Sequence, residues 1–263
     1  MIVTEFGAAE RNYPVVVAGT GFGSLFFVHR LLQLRPAMPI LMLERGSFRS
    51  WEQQLADGYN STIPPADTFV ASGARKRWNF TIAYGGGTNC WFATTPRMLP
   101  SDFRLKSLYG RGQDWPLSYD ELEPYYAHAE DIMDISGADD IGIVTPRSRP
   151  YPQPPHKFSA VDRLMKRAQP DLHFALPTAR ARIANKQRPA CCASFRCNLC
   201  PVGAKFTGLN GLADITEHPN VRILVDAEVL ELERSGGSAI SAAARAYAEK
   251  SGKPYSSTRT PLG

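Results

Sequence analysis

The chain has 263 residues, of which 43% are hydrophobic and 21% charged, and its formal net charge is +5. This is the composition of an ordinary globular protein, and it excludes fibrous and intrinsically disordered classes. The basic residues are scattered and their longest cluster is Arg75-Lys76-Arg77, which we interpret as a solvated loop, so no nucleic-acid partner is expected. No run approaches the roughly 20 apolar residues of a transmembrane helix, and the N-terminus lacks a secretory pattern. We therefore expect a cytoplasmic protein.

The first 45 residues have the order strand, glycine turn, helix, strand and acidic residue. A β-branched run at 13–18 is typical of a strand buried on both faces of a parallel sheet. It is followed by glycines, by an apolar helical stretch from Leu25 to Leu34, and by a second strand from Ile40 to Leu43. This second strand ends on Glu44. The order is that of a strand-helix-strand unit with a ligand at its turn.

The glycine turn predicts a dinucleotide site. Gly19 and Gly21 permit a tight turn and let backbone amides approach a pyrophosphate, and the helix that follows offers free N–H groups at the positive end of its dipole. Ser24 takes the place of the third glycine in G-x-G-x-x-G, with Gly23 beside it. Glu44 can accept hydrogen bonds from both hydroxyls of a ribose, which favours an unphosphorylated ribose.

A second glycine-rich segment, Tyr84-Gly85-Gly86-Gly87-Thr88-Asn89-Cys90-Trp91, lies too far along the chain to belong to the first turn. Consecutive glycines permit positive φ and a close approach of the backbone to a flat ligand. Trp91 and Phe92 beside this segment are expected to pack in the core, as most large aromatic side chains do.

The segment Asp114-Trp115-Pro116-Leu117-Ser118-Tyr119-Asp120-Glu121-Leu122-Glu123-Pro124-Tyr125-Tyr126 leads into an amphipathic helix. Ser118 and Glu121 could form a capping box, but Pro124 would then lie inside the helix. We therefore predict a short turn followed by a helix that has Pro124 at its first position. Tyr125 and Tyr126 are predicted to lie on the buried face of that helix.

In these three segments the chain resembles the glucose-methanol-choline oxidoreductases, and the resemblance runs from about Pro14 to about Leu232. Members of that family carry an early FAD fingerprint, a glycine-rich segment at the flavin ring, and a W-P-[IL]-S-Y-[DE]-[DE]-L-x-P-Y-Y element before a helix. The resemblance implies an α/β fold with a Rossmann-like FAD-binding domain and part of an inserted substrate domain. Cys90 lies near the place where some members attach FAD covalently through a His, and we predict noncovalent FAD.

The family also implies which residues contact FAD. Its second strand resembles Leu43-Glu44-Arg45-Gly46, its glycine-rich segment packs against the isoalloxazine ring and the pyrophosphate, and a late strand touches the adenine through one backbone position. On this sequence the implied cofactor-binding residues are Gly19, Gly21, Phe22, Gly23, Ser24, Glu44, Arg45, Gly86, Gly87, Thr88, Asn89 and Val229.

Four of the five cysteines lie within ten residues, at Cys191, Cys192, Cys197 and Cys200. Metal or iron-sulfur ligation, disulfides and a redox C-x-x-C all compete as explanations. Disulfides are disfavoured because the chain has no export signal and is otherwise poor in cysteine. Adjacent cysteines offer awkward geometry for a zinc site with four thiolates.

The cysteine segment also resembles that of the catalytic subunits of membrane-linked bacterial sugar and polyol dehydrogenases in the same family. There, an adjacent Cys-Cys pair and a third Cys five residues later hold a three-iron cluster, ahead of a C-P-x-G-A sequence. Cys191, Cys192 and Cys197 match this spacing, and Cys200 begins the C-P-x-G-A match after a gap one residue shorter. Two interpretations of these cysteines stay open. One is an iron-sulfur cluster, for which Cys200 is either a fourth ligand or dispensable, and the other is a set of free structural thiols.

The end of the chain departs from the family. Two short strands are predicted at 221–225 and 227–232, but the third strand of relatives has no match, and the last residues look like a truncation or a frame change. We expect residues 1–235 to form the FAD-binding region with interleaved substrate-domain segments, and 236–263 to form a poorly ordered or truncated tail. None of the five histidines matches the family's catalytic His, so no catalytic residue is named.

The resemblance implies FAD-dependent oxidation of the CH–OH group of an alcohol, sugar or polyol. This chain provides the flavin site for that reaction, and both an active and an inactive isolated chain are compatible with the resemblance. The expected partners are a small-molecule alcohol or sugar, with a small subunit and a cytochrome as further candidates. Co-export with such a subunit would place the protein in the periplasm. A non-catalytic remnant or electron-transfer subunit, and an NAD-dependent reductase, are the alternatives.

Overall fold

The computed structural model describes residues 1–4, 13–64, 67–68, 80–235, 239–246 and 258–260, so the basic cluster at 75–77 lies outside the described residues. Within these ranges the strands are β1 (Ile2–Val3), β2 (Val15–Ala18), β3 (Ile40–Leu43), β4 (Val221–Leu224), β5 (Ala227–Ser235), β6 (Ala239–Ala246) and β7 (Thr258–Thr260). The α-helices are α1 (Phe22–Leu34), α2 (Trp51–Asp57), α3 (Leu105–Tyr109), α4 (Tyr119–Met133), α5 (Ala160–Ala168) and α6 (Ala213–Glu217). None of these helices combines the length and apolarity that crossing a bilayer needs.

The chain divides into two compact units, one formed by Met1–Trp91 with Thr207–Gly263 and the other by Phe92–Phe206. The first unit contains a sheet of order β1-β4-β3-β2, in which every neighbouring pair is parallel. All four residues of β3 are buried. A continuous apolar run is what a strand covered on both faces requires. The predicted strand-turn-helix-strand unit is therefore confirmed, although α1 begins at Phe22 rather than at Leu25.

The core of the first unit lies on both sides of this sheet. Tyr13, Leu41, Leu43, Leu224 and Ala227 form one buried cluster. On α1 the buried side chains are those of Leu25, Val28 and Leu32, which follow the helical period. This packing fixes the start of α1 beside the end of β3, where the glycine turn lies.

The strands after β4 form an antiparallel sheet of order β5-β6-β7, with a bulge in β5 between Val229 and Glu231. The predicted strand at 227–232 is confirmed and extends to Ser235. β6 and β7 fall inside the predicted tail 236–263, and the rest of that tail lies outside the described residues. The division of the chain at residue 235 stays a prediction.

In the second unit the predicted start of α4 is wrong. The helix begins at Tyr119, with Ser118 as its N-cap and Pro124 inside it. The capping box is complete: the amide of Glu121 donates to Ser118 Oγ over 3.2 Å, and the amide of Ser118 donates to a carboxylate oxygen of Glu121 over 2.8 Å. Pro124 removes one backbone hydrogen bond, but these two capping bonds and the buried face of α4 offset that loss.

The buried face of α4 also differs from the prediction. Tyr125 is 70% exposed and Phe92 is 58% exposed, so the expectation that they pack in the core is wrong, while Tyr126 and Trp91 are half-buried. The buried face instead carries two carboxylates, Glu123 and Glu130.

A buried arginine explains those carboxylates. Arg97 donates to Glu123 over 2.8 Å and to both oxygens of Glu130 over 2.8 Å each, and Arg147 donates to Glu130 over 2.7 Å. The side chains of Arg97 and Arg147 are 1% and 5% exposed. Such bidentate, charge-assisted bonds satisfy carboxylates that could not otherwise be buried, so the polar face of α4 turns inward.

Candidate functional site

The first candidate site is the glycine turn between β2 and α1. Gly19 has φ +83°, a conformation that favours glycine, and its amide donates to the carbonyl of Leu43 over 2.7 Å, which holds the turn against the end of β3. Gly21 is the N-cap of α1 and has no side chain that could cap the helix. The first-turn N–H groups of a helix have no partner within the helix, so this end attracts an anion.

The space in front of the turn is open. A Cβ placed on Gly21 or on Gly23 would meet no heavy atom within 4 Å. The first turn of α1 contains no acidic residue that would repel a phosphate. Ser24, the third position of the motif, is turned back into the protein, because its hydroxyl lies 3.4 Å from the carbonyl of Ala18. Backbone groups of 21–23 are thus the ones placed to bind a pyrophosphate.

Glu44 lies directly after β3 and is 6% exposed. One carboxylate oxygen accepts from the amide of Thr20 over 3.0 Å and from its hydroxyl over 2.6 Å, and the other oxygen accepts from the amide of Gly46 over 2.9 Å. Burial raises the pKa of Glu44, and the bonds from Thr20 and Gly46 oppose that rise. The carboxylate is therefore placed beside the glycine turn, at the carboxyl end of a parallel strand, where ligands of such sheets bind.

The second glycine-rich segment packs directly on the first turn. Gly85 and Gly86 have φ +90° and +48°, and a Cβ on Gly86 would lie 3.3 Å from the Cα of Gly21. The amide of Gly85 donates to the hydroxyl of Thr20 over 3.0 Å. Gly87 is exposed and faces open space. The structure thus brings the two predicted glycine segments together.

The side chains of Thr88 and Asn89 are used within the protein. Thr88 is fully buried, and its hydroxyl accepts from the amide of Gly208 over 2.9 Å. The amide nitrogen of Asn89 donates to the carbonyl of Tyr84 over 2.7 Å. These two residues can contact a ligand through their backbone, while their side chains fix the shape of the loop. The Cys90 thiol is half-buried and lies 3.7 Å from the carbonyl of Gly87.

Three further predicted cofactor residues, Phe22, Arg45 and Val229, have contacts within the first unit. Phe22 contacts Trp91 edge to face, with ring centroids 4.7 Å apart. Arg45 forms an ion pair with Glu228 over 3.1 Å. Val229 is half-buried against the cluster that contains Leu41 and Leu43. Their contact with a cofactor stays a prediction.

Sequence reasoning missed Thr20. This residue is fully buried, and its hydroxyl joins Glu44 to the second glycine segment. The sequence offered only one indication, a hydroxyl side chain between Gly19 and Gly21, and the glycine motif allows any residue at that position.

The second candidate site is a cavity of about 820 Å³ in the second unit, lined by all four clustered cysteines. Cys197 is buried, Cys192 is exposed, and Cys191 and Cys200 are intermediate. Hydrogen bonds with Ser194 lower the pKa of the Cys192 thiol, and the bond with its side chain has a larger effect than the bond with its backbone. Within the part of the chain that the structure describes, no three ligand-type side chains are close enough to hold a single metal ion.

The same cavity has a strongly cationic lining. Among the described residues that line it, the lysine and arginine side chains are Lys157, Arg180, Arg182 and Arg196, and the carboxylate is that of Asp162. A guanidinium nitrogen of Arg180 lies 3.3 Å from the sulfur of Cys197. Several cysteine thiolates that bind one cluster would bring negative charges together, and these basic side chains would offset that negative charge. The lining therefore fits an anionic occupant.

The absence of a catalytic histidine from this chain stays a prediction. His29 lies 3.0 Å from Gln33 and 3.6 Å from Asp214, and His128 is exposed, as expected for satisfied or surface histidines. His156 contacts the carbonyl of Arg180 over 3.1 Å, and burial lowers its pKa.

Comparison with known proteins supports the family that the motifs predict. The chain is 28% identical over 261 residues to the fructose dehydrogenase large subunit of Gluconobacter japonicus, a match that covers 87% of this chain and 47% of that protein. It is 27% identical over 244 residues to paromamine 6'-oxidase of Streptomyces fradiae, covering 88% of this chain and 43% of that protein. No protein-family model matches the chain. The chain thus spans under half the length of these two relatives.

A solved structure agrees in fold. An FAD-dependent oxidoreductase from Chaetomium thermophilum superposes with a TM-score of 0.57 at 17% identity, covering 95% of this chain and 44% of that protein. An α/β fold with a parallel sheet, of partial length relative to such neighbours, is therefore confirmed. The relatives fit the glucose-methanol-choline oxidoreductase family that the motifs predict, at low sequence identity.

Proposed function

We propose that this chain is the flavin-binding part of an FAD-dependent oxidoreductase that acts on the CH–OH group of an alcohol, sugar or polyol. The observation that carries the proposal is the arrangement of Gly21 and Glu44. The helix N-terminus at Gly21 is open and uncapped, which favours an anion such as a pyrophosphate, and the buried carboxylate of Glu44 is bonded to the same turn through Thr20, where it would accept from a ribose. Bound FAD would supply a hydride acceptor, which alcohol oxidation requires.

The substrate class rests on the relatives. One of them is named for fructose and another for paromamine. Because the chain spans under half of either protein, the activity of the whole enzyme and the identity of its donor are proposals for this chain. A further subunit, suggested by the name of the first relative, an electron-accepting cytochrome, and a cytoplasmic or co-exported location also stay proposals.

The experiment that tests the flavin assignment is reconstitution followed by spectroscopy. Purified chain is incubated with FAD, desalted and scanned in the visible range. We expect a retained flavin spectrum, whereas an NAD-dependent reductase would stay colourless. Anaerobic addition of sugars and alcohols then separates an active enzyme, whose flavin absorbance bleaches, from a non-catalytic remnant, whose absorbance does not change.

We also propose that Cys191, Cys192 and Cys197 hold an iron-sulfur cluster. Two observations support this: their spacing, and their position on one cavity with a cationic lining. Three thiolates would leave one corner of a cuboid cluster without a protein ligand and give a three-iron form, whereas recruitment of Cys200 would allow four irons. A cluster would direct single electrons towards an external acceptor.

The cluster proposal is tested on anaerobically purified protein by iron and acid-labile sulfide analysis and by electron paramagnetic resonance. A signal in the oxidised state indicates the three-iron form, and a signal only after reduction indicates a low-potential four-iron form. Cys197→Ser should lose the iron, while Cys90→Ser, which changes the cysteine outside the cluster segment, should keep it. Iron-free protein after careful reconstitution would leave these residues as structural thiols and refute the proposal.

A further inference from the structure

Thr20 is the point at which three parts of the predicted FAD site meet. It lies in the turn after β2 and is fully buried. Its hydroxyl donates to the Glu44 carboxylate over 2.6 Å and accepts from the amide of Gly85 over 3.0 Å, and its own amide donates to the same carboxylate oxygen over 3.0 Å. The first turn, the end of β3 and the second glycine segment are thus joined through one side chain.

The direction of these bonds is fixed by chemistry. A carboxylate can only accept and a backbone amide can only donate, so the single hydroxyl proton must point to Glu44 and a lone pair must face Gly85. The bond to Glu44 is charge-assisted and short, which makes it the stronger of the two. Any movement of the carboxylate is therefore transmitted to the second glycine segment.

We propose that Thr20 is a positioning residue for FAD, because its hydroxyl holds the ribose-binding carboxylate of Glu44 and the segment 85–88 in the arrangement that the cofactor needs. This inference rests on the proposed flavin site. It assigns to the variable position of the glycine motif a role that the motif itself does not give.

The proposal has a consequence for the charge of Glu44. Burial raises the pKa of this carboxyl, the Thr20 hydroxyl lowers it more than any other bond, and the nearby charge of Asp226 raises it. Tyr84 is a further titratable group that interacts with Glu44, whose charge contributes to raising the pKa of the Tyr84 hydroxyl. Ribose hydroxyls donate to an ionised carboxylate, so loss of the Thr20 hydroxyl should weaken FAD binding and move the pH at which binding is lost to a higher value.

The test is the dissociation constant of FAD as a function of pH in Thr20→Val, which keeps the shape and removes the hydroxyl. We expect affinity to fall about tenfold or more at neutral pH, because the carboxylate of Glu44 and the segment 85–88 are then no longer held in place for the cofactor. At low pH, protonation of Glu44 should reduce the affinity for FAD, and we call this part of the pH profile the acidic limb. We also expect the acidic limb to move to higher pH in Thr20→Val. Glu44→Gln should abolish that limb.

Two comparisons separate this role from simple stabilisation. Thr145 in the second unit is also buried, and its hydroxyl donates to the carbonyl of Ile141 over 3.3 Å, a bond that involves no carboxylate. Thr145→Val should therefore lower stability without moving the acidic limb. If Thr20→Val does not fold, Thr20→Ser and Thr20→Ala give the same information, because both lack the methyl group and only Ser keeps the hydroxyl.

The proposal is overturned if Thr20→Ala and Thr20→Ser share one pH profile, or if Thr145→Val moves the profile as far as Thr20→Val does. It is supported if only the variants without the Thr20 hydroxyl move it. Wild-type protein that binds no FAD at all would refute the flavin site itself, and with it this inference, and that result is distinct from normal binding with unchanged profiles.

Discussion

The substitution Gly21→Val tests whether the open space at the start of α1 is occupied by a pyrophosphate. Gly21 has φ −74° and ψ −171°, an extended conformation that valine adopts readily, and its Cβ would meet no heavy atom within 4 Å. The apo protein should therefore keep its fold, with a loss of at most about 1 kcal/mol from a poorer N-cap. The added side chain projects into the space that we assign to the cofactor.

The size of the expected change in Tm follows from the free energy by which bound FAD stabilises the folded protein. FAD at 100 times its dissociation constant should stabilise the wild-type protein by about 2.7 kcal/mol. For a chain of this size that corresponds to a rise in Tm of roughly 5–10 °C. Gly21→Val should show no rise and Gly21→Ala an intermediate one, measured by thermal unfolding with and without FAD.

Gly142→Ala is the matched control. Gly142 lies in the second unit, and its added Cβ would make an ordinary contact of 3.6 Å with Arg147. This variant should keep the full rise in Tm. A Gly21→Val protein that folds and still gains the full rise with FAD would refute the assignment of the turn.

Two further predictions concern buried charge. The pKa of Glu44 is higher in the folded apo protein than in the unfolded chain, so its contribution to the free energy of unfolding is fully present below the pKa of the unfolded state and is lost as pH rises through the pKa of the folded state. Glu44→Gln should therefore weaken the pH dependence of stability measured by urea unfolding. Arg97→Met should cost about 3–5 kcal/mol in the same assay, because it leaves Glu123 and Glu130 buried with fewer partners. Arg149→Met, which breaks a half-exposed ion pair, should cost less than about 1 kcal/mol, and equal losses in the two arginine variants would contradict the role of burial.

The sequence predicted the nucleotide-binding unit well because its signals are local. The apolar run of β3, the glycines of the turn and the carboxylate of Glu44 each report their own environment, and the structure places them as expected. The contact between the two glycine segments could not be predicted from local signals. It depends on Thr20, whose role appears only when residues 65 positions apart meet.

The errors have a common physical cause. Periodicity of apolar residues predicted that Tyr125 would be buried, but α4 turns Glu123 and Glu130 inward because Arg97 satisfies both carboxylates. The missing N–H of Pro124 is harmless at a helix start and so predicts that position, yet the capping box at Ser118 starts the helix earlier. Partners distant in sequence override a local rule in both cases.

The central claim is that the chain binds FAD, and the most direct measurement is equilibrium dialysis of the purified chain against FAD and, in parallel, against NAD. The account predicts saturable binding of one FAD per chain, with the flavin released unmodified when the protein is denatured by acid. Binding of NAD without binding of FAD would contradict it.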